Sequence, residues 1–181
     1  MSPHYTGKGD DGTTTLYAST QRLDKSESAI EALGTLDELN TVLGLARTTA
    51  QQSSAVVGAY TVGDMLLMMQ EDLFVAQAQL AGADKELGRQ SVYNLDSYIM
   101  LLEDGLTVPQ SFVIPGTDPV SAWLDYARAV TRRAERSVIR CELQPAPYTL
   151  IAYLNRLSSL LYVLARRTAQ QTSETELSPS Y

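Results

Sequence analysis

Histidine and cysteine are almost missing from this chain: each occurs once among 181 residues, as His4 and Cys141. A single cysteine excludes an intrachain disulfide and a thiolate metal cluster. With no histidine nearby to activate it, Cys141 reads as a structural residue and not as a nucleophile. One histidine in the N-terminal tail excludes a His-based triad, and it leaves a di-iron bundle without its Glu-x-x-His pairs. An enzyme with this inventory works without histidine chemistry. Also absent are an apolar run long enough to span a membrane and, in residues 1–12, the apolar core of a signal peptide. A soluble, cytoplasmic protein is the expectation. Basic charge is scarce too: 14 Lys and Arg face 21 Asp and Glu, a net charge of −7. That balance argues against nucleic acid as the main partner, yet leaves room for a local basic pocket around one polyphosphate.

What is present is helical periodicity. Hydrophobic residues make up 44% of the chain, an ordinary globular share. Residues 1–25 are dense in Gly, Thr, Asp and Lys without a helical period. From about residue 27 to 50, Ile30, Leu33, Leu36, Leu39, Val42 and Leu43 recur at steps of mostly three and four. Gly58 and Gly63 interrupt the start of a second helix, expected from Asp64 to about Ala83, with a third from Ser91 to about Leu102. Pro109, Pro115, Gly116 and Pro119 punctuate a connector. Asp118 reads as an N-cap with Pro119 at the first position of a fourth helix, which runs to about Arg140. Pro145 and Pro147 close the next gap, a fifth helix follows from Tyr148 to about Thr172, and the polar tail 173–181 is expected to be mobile. With no repeat and no linker, the chain reads as one all-α domain, a five-helix bundle (26–172) preceded by a Gly/Thr-rich loop.

Three segments carry chemistry. Tyr5-Thr6-Gly7-Lys8-Gly9-Asp10-Asp11-Gly12-Thr13-Thr14-Thr15 combines glycines that let backbone approach a ligand with amides and hydroxyls that can donate to phosphate. It lacks the Walker A spacing, and on composition alone such a leader is more often a flexible tail. Asp10 and Asp11 suit either a divalent cation on a polyphosphate or a plain turn. In the fourth helix, Arg128, Arg132 and Glu135 fall at i, i+4 and i+7 on one narrow face, with Arg133 and Arg136 beside them. This is either a solvated face with Arg–Glu pairs or an arginine cluster for a phosphate chain. Asp37 and Asn40, and likewise Asn155 and Arg156, interrupt leucine-rich stretches and need partners if buried; an arginine of the fourth helix is a natural partner for Asp37.

Taken in order, these segments resemble the PduO-like ATP:cob(I)alamin adenosyltransferases. The resemblance rests on Tyr5-Thr6…Gly9-Asp10…Gly12…Thr14, Arg22…Lys25…Glu31-Ala32…Gly34-Thr35…Asp37-Glu38-Leu39-Asn40, Asp72-Leu73-Phe74, Phe112…Ile114-Pro115-Gly116, Ala127-Arg128…Arg132-Arg133-Ala134-Glu135-Arg136 and Tyr153-Leu154-Asn155-Arg156-Leu157-Ser158, spanning roughly residues 5 to 168. It implies a ferritin-like five-helix bundle with an ordered N-terminal loop, assembled as a homotrimer with active sites between subunits. It also implies transfer of the 5′-deoxyadenosyl group of ATP to cob(I)alamin, with Mg²⁺ on the triphosphate.

By the same resemblance ATP is held by Thr6, Gly7, Lys8, Gly9, Gly12, Thr14 and Thr15, by Lys25, by Arg132, Arg133, Glu135 and Arg136, and by Asn155. Arg128 pairs with Asp37, Arg132 contacts the triphosphate, and Phe112 packs at the corrin face. Cob(I)alamin is itself a strong nucleophile, so the protein's tasks are alignment, stabilisation of a departing triphosphate and exclusion of the lower axial ligand. A cobalamin reductase and an adenosylcobalamin-dependent acceptor are the implied partners, and no metal ligands are assigned. A catalytically weak ATP-binding regulatory bundle of the same fold is the alternative. Three departures stand out: Ala29 where many members carry arginine, Asp125-Tyr126 in place of the usual His-Val, and a tail without a recognisable aromatic lid.

Overall fold

The structure is a computed structural model describing residues 4–17, 19–51, 56–57, 59–107, 109–141, 147–172 and 175–181. Its five helices are α1 (Ser28–Ala50), α2 (Val62–Leu80), α3 (Arg89–Glu103), α4 (Pro119–Arg140) and α5 (Tyr148–Gln170). Two short antiparallel pairings, unforeseen from periodicity, join β1 (Thr13–Thr14) to β2 (Leu23–Asp24) and β3 (Val56–Val57) to β4 (Tyr60–Thr61). Gly58 and Pro145, read from the sequence as breaks, lie outside the described residues.

Helix α4 is the central element, packed against both α1 and α5; α2 lies on α1, and α3 lies on α5. The sequence of α4 explains its place. Ala127, Thr131, Ala134 and Val138 recur at helical spacing, are all buried, and are small enough to admit two neighbouring helices. Leu36, Leu39 and Leu43 of α1, Leu66 and Leu73 of α2, and Leu154, Leu157, Leu161 and Leu164 of α5 complete a core shut off from water. Each such leucine contributes about 1.5–3 kcal/mol by burial. Helix α3 buries only Leu95 and Leu102, so it sits at the rim.

Local chemistry sets the helix ends. Thr61 accepts a hydrogen bond from the Asp64 amide at 3.0 Å while the Asp64 carboxylate accepts from the Thr61 amide at 3.3 Å, a capping box that starts α2 ahead of Asp64. The same helix stops before Ala83. Gly82, at φ 83°, reverses the chain so that the Ala83 amide reaches the Ala78 carbonyl at 2.9 Å and the Gly82 amide reaches that of Gln79 at 3.1 Å. Asp118 caps α4 as its sequence suggests, accepting from the amides of Val120 at 2.9 Å and Ser121 at 3.1 Å.

The C-terminal tail, expected from its composition to be mobile, makes contacts with the rest of the chain. Residues 175–181 lie along the α3–α4 connector: the Leu177 carbonyl accepts from the Ile114 amide at 2.8 Å, and the hydroxyls of Ser178 and Ser111 meet at 2.7 Å. Glu176 forms an ion pair with Arg166 at 2.8 Å. The physical reason lies in Arg166, which is 1% exposed and needs carboxylates to offset the loss of water around its charge.

Candidate functional site

The N-terminal loop is organised by a residue absent from the sequence-derived site, Arg22. Its guanidinium donates to the Thr13 hydroxyl through Nε at 2.8 Å, to the Thr13 carbonyl at 3.0 Å, to the Lys8 carbonyl, and to Asp11 at 3.2 Å. Asp11 in turn accepts from the Thr13 hydroxyl at 2.7 Å and amide at 2.9 Å. The Thr13 hydroxyl and amide, helped by the Arg22 charge, hold Asp11 below its ordinary carboxylate value. Asp11 is thus a turn residue here. Lys25 arches back to the Gly9 carbonyl at 2.7 Å, and its amide donates to Gly12 at 2.9 Å. Gly12 takes φ 82°, a conformation that lets the loop fold back on itself. Thr6 accepts from the Lys8 amide at 3.3 Å, whereas Gly7, Lys8 and Thr15 lie exposed and Thr14 half-buried beside β2.

On α4 the basic residues divide by partner. Arg133 pairs with Glu38 of α1, so the α1–α4 ion pair falls on Glu38 and not on Asp37. Glu135 accepts from the Asn155 side-chain amide at 3.2 Å; Arg156 donates to Asn155 at 3.1 Å and pairs with Asp96 of α3 at 2.9 Å. This row of contacts across α4, α5 and α3 fixes the orientation of Glu135 and Asn155. Arg132 and Arg136 are exposed and make no ion pair or side-chain hydrogen bond among the described residues.

A groove of about 560 Å³ opens between the α3–α4 connector and the helices α4 and α5, lined among others by Pro109, Phe112, Pro115, Arg128 and Tyr162. Phe112 stands at it with 78% of its surface exposed. Below lies a buried charge cluster: Asp125 takes a hydrogen bond from Arg166 and lies 3.8 Å from Arg128 Nε. Burial pushes Asp125 above its ordinary carboxylate value, against the pull of the Arg166 and Arg128 charges. The Arg166 guanidinium also sits 5.3 Å from the centre of the Tyr162 ring.

The sequence-derived residues therefore fall into three groups: the loop with Lys25; Arg132, Arg133, Glu135, Arg136 and Asn155; and Phe112 with Arg128. Asp37 is exposed on α1 and makes no ion pair with Arg128 within the chain; Arg128 has Asp125 instead. No hydrogen bond among the described residues joins loop residues 5–15 to α4. Arg22, Arg166 and Glu176 were missed. Arg22 left a signal as the only arginine in the Gly/Thr-rich segment, and Arg166 left one in following directly on the run Leu160–Ala165, with Arg167 beside it. Among the described residues, no cluster of His, Cys, Asp and Glu can hold a metal ion, and no helix is long and apolar enough to cross a membrane.

The fold and the site define a five-helix bundle with a basic face on α4. The sequence model of the family described as cobalamin adenosyltransferase matches residues 4–168. The chain is 36% identical over 173 residues to the corrinoid adenosyltransferase of Mycobacterium tuberculosis (strain ATCC 25618 / H37Rv), covering 90% of this chain and 86% of that protein. It is 35% identical over 170 residues to the corrinoid adenosyltransferase PduO of Citrobacter freundii, covering 90% of this chain but only 48% of that longer protein. Two variants of the PduO-type ATP:corrinoid adenosyltransferase of Lactobacillus reuteri share the fold. One is complexed with ATP (TM-score 0.84, 24% identity, 97% of this chain and 99% of that one), the other with cobalamin and ATP (TM-score 0.84, 24% identity, 98% and 99%). The chain belongs to the cobalamin adenosyltransferase family. Membership places it among the enzymes that transfer the adenosyl group of ATP to cobalamin.

Proposed function

We propose that this chain, as a single domain, transfers the 5′-deoxyadenosyl group of ATP to cob(I)alamin and releases triphosphate. The observation that carries the reading is a basic face on α4 where Arg132 and Arg136, and Arg140 one turn further on, make no ion pair or side-chain hydrogen bond among the described residues, beside Arg133, Glu135 and Asn155, which do have partners. Cations left unmatched on an acidic protein suit a polyanionic ligand. Arg132 and Arg136 receive the triphosphate, and Arg133 joins them. Glu135, held by Asn155, and Asn155, held by Arg156, accept from and donate to the nucleoside. The loop residues Thr6, Gly7, Lys8, Gly9, Gly12, Thr14 and Thr15, with Lys25, close over the phosphates. Magnesium arrives with ATP on its phosphate oxygens.

The cobalt of cob(I)alamin supplies the nucleophile, so the residues align C5′ with it and stabilise the charge that gathers on the departing triphosphate. Phe112, exposed at the apolar groove, faces the corrin and bars the lower axial ligand. Active sites lie between the subunits of a homotrimer. Two features support that: the exposed Asp37 side chain on α1 makes no ion pair among the described residues and can meet Arg128 of another copy, and Leu45, Leu67 and Phe74 expose apolar surface on α1 and α2. The protein works in the cytoplasm, receives reduced corrinoid from a cobalamin reductase and passes adenosylcobalamin to an enzyme that depends on it.

An anaerobic assay with ATP and chemically reduced cobalamin, following the spectrum of cobalt–carbon bond formation, tests the reading. Turnover is the expected result; ATP binding without turnover would leave a regulatory bundle of the same fold. Phe112→Ala is expected to keep ATP affinity, to leave cob(II)alamin five-coordinate by electron-spin resonance, and to lose adenosylation starting from cob(II)alamin.

A further inference from the structure

Phe112 is not held by packing: with 78% of its surface exposed, its ring anchors nothing in the core. What fixes it is the connector on either side, where the C-terminal part of the chain supplies hydrogen bonds. At the near end, Gln170 of α5 clasps Thr107 twice, accepting from its amide at 3.2 Å and donating to its carbonyl at 2.7 Å. On the two flanks of Phe112, Ser111 meets the Ser178 hydroxyl at 2.7 Å and the Ile114 amide donates to the Leu177 carbonyl at 2.8 Å.

The tail that supplies those last two contacts has little else to hold it. Leu177 is 65% exposed and Tyr181 is 97% exposed, so neither anchors the segment by burial. Its one deep attachment is Glu176, whose side chain is 16% exposed against an Arg166 side chain at 2%. Arg166 shares its guanidinium with Asp125, which also lies beside Arg128 in the groove. A continuous series of contacts therefore runs from the buried cluster through Glu176, Leu177 and Ser178 to Ser111 and Ile114.

We infer that Glu176, seated on Arg166, is a positioning residue for the corrinoid: it clamps the tail across the connector and so sets Phe112 at the mouth of the groove. The inference rests on the assignment of Phe112 to the corrin face. Glu176 touches no substrate; it acts through the backbone of residues 111–114. Neutralising the charge of Arg166 is the simpler role for the same carboxylate, and that role predicts a change in melting temperature with no bias toward either substrate.

Full-length Glu176→Gln, which keeps the side-chain size, separates the two. Hydrogen exchange at the Ile114 amide is expected to quicken, because its acceptor on Leu177 is no longer pinned. With ATP bound, the four-coordinate cob(II)alamin signal and the turnover that depends on it should fall roughly tenfold, within the range that sub-ångström to ångström misplacement produces. KM for ATP should hold at the wild-type value. Glu176→Asp, which retains the charge, should recover part of the signal. Unchanged exchange at Ile114 overturns the inference. So does faster exchange with a wild-type corrin spectrum, provided that Phe112→Ala abolishes that spectrum. If Phe112→Ala is itself silent, the assignment of Phe112 to the corrin falls and the role of Glu176 falls with it.

Discussion

Two arginines organise two separate charge clusters in this molecule, and they do so under different solvents. Arg22 gathers Lys8, Asp11 and Thr13 at the surface, with its side chain 40% exposed and that of Asp11 64% exposed. Arg166 gathers Asp125 and Glu176 with a side chain only 2% exposed. Water competes for every bond in the first cluster, so each contributes little to stability and the loop can exchange them for phosphate oxygens. In the second, the charges have no water to return to, and removing one strands the others. The surface cluster gives the loop a shape that a ligand can displace; the buried cluster gives the connector a fixed position.

Removing the guanidinium of Arg166 is the most damaging way to break that comparison. Arg166→Met leaves Glu176 without its counter-charge and Asp125 with only Arg128 at 3.8 Å, and should destabilise the fold by about 3–5 kcal/mol in urea unfolding. A loss below about 1 kcal/mol would mean that water reaches the cluster. Arg132→Ala comes next and acts on a different quantity. Transition-state stabilisation should drop by about 2–4 kcal/mol in kcat/KM while the melting curve stays put, since Arg132 has no protein partner to lose. Early melting with an unchanged rate in the folded variant would make Arg132 structural.

Arg22→Ala should be milder still. Stability is expected to change by less than about 1 kcal/mol, whereas ATP binding weakens about tenfold because the ligand must then order the loop itself. Equal effects on both would merge the two clusters into one kind.

The two aspartates sharpen the contrast through pH, with opposite signs. Asp11 has a folded pKa below 3.8, so its contribution is present above the ordinary carboxylate value and is lost as pH falls through the folded one. Asp125 has a folded pKa above 3.8, so the fold takes up this proton before the unfolded chain does, and stability gains as pH falls from the folded value toward the ordinary one. Carboxyl carbon resonances followed by NMR should show midpoints on either side of 3.8. Coincident midpoints would remove the distinction.

Where periodicity was strong, the sequence disclosed the fold. Leucines recurring at three and four marked α1, and Asp118-Pro119 marked the start of α4 to the residue. The end of α2 was less legible, because the glycine that stops it, Gly82, sits inside a run of apolar alanines. The paired strands are two residues long, too short to carry an alternation. For the candidate site, the ordered blocks around Gly9, Arg132 and Asn155 were readable. The partners of Arg166 were not: Asp125 lies 41 positions away, and Glu176 stands in a stretch whose composition resembles a free tail. Charge pairing across such distances leaves no local pattern. On α1 the residue that pairs with α4 within the chain is Glu38, with Arg133, one position from the Asp37 that the leucine-rich stretch singled out.

The exposed ring of Phe112 has a consequence for heat and not only for geometry. A benzyl side chain kept in water next to Pro109, Val113 and Pro115 retains a hydration shell that only a large flat apolar partner can dismiss. When a corrin displaces that shell, the heat capacity of the complex should fall below that of its separated components, and the enthalpy of binding should become more favourable with each degree of warming. Calorimetry across a span of temperatures would then register Phe112 as a slope, whatever the sign of the enthalpy at any single temperature.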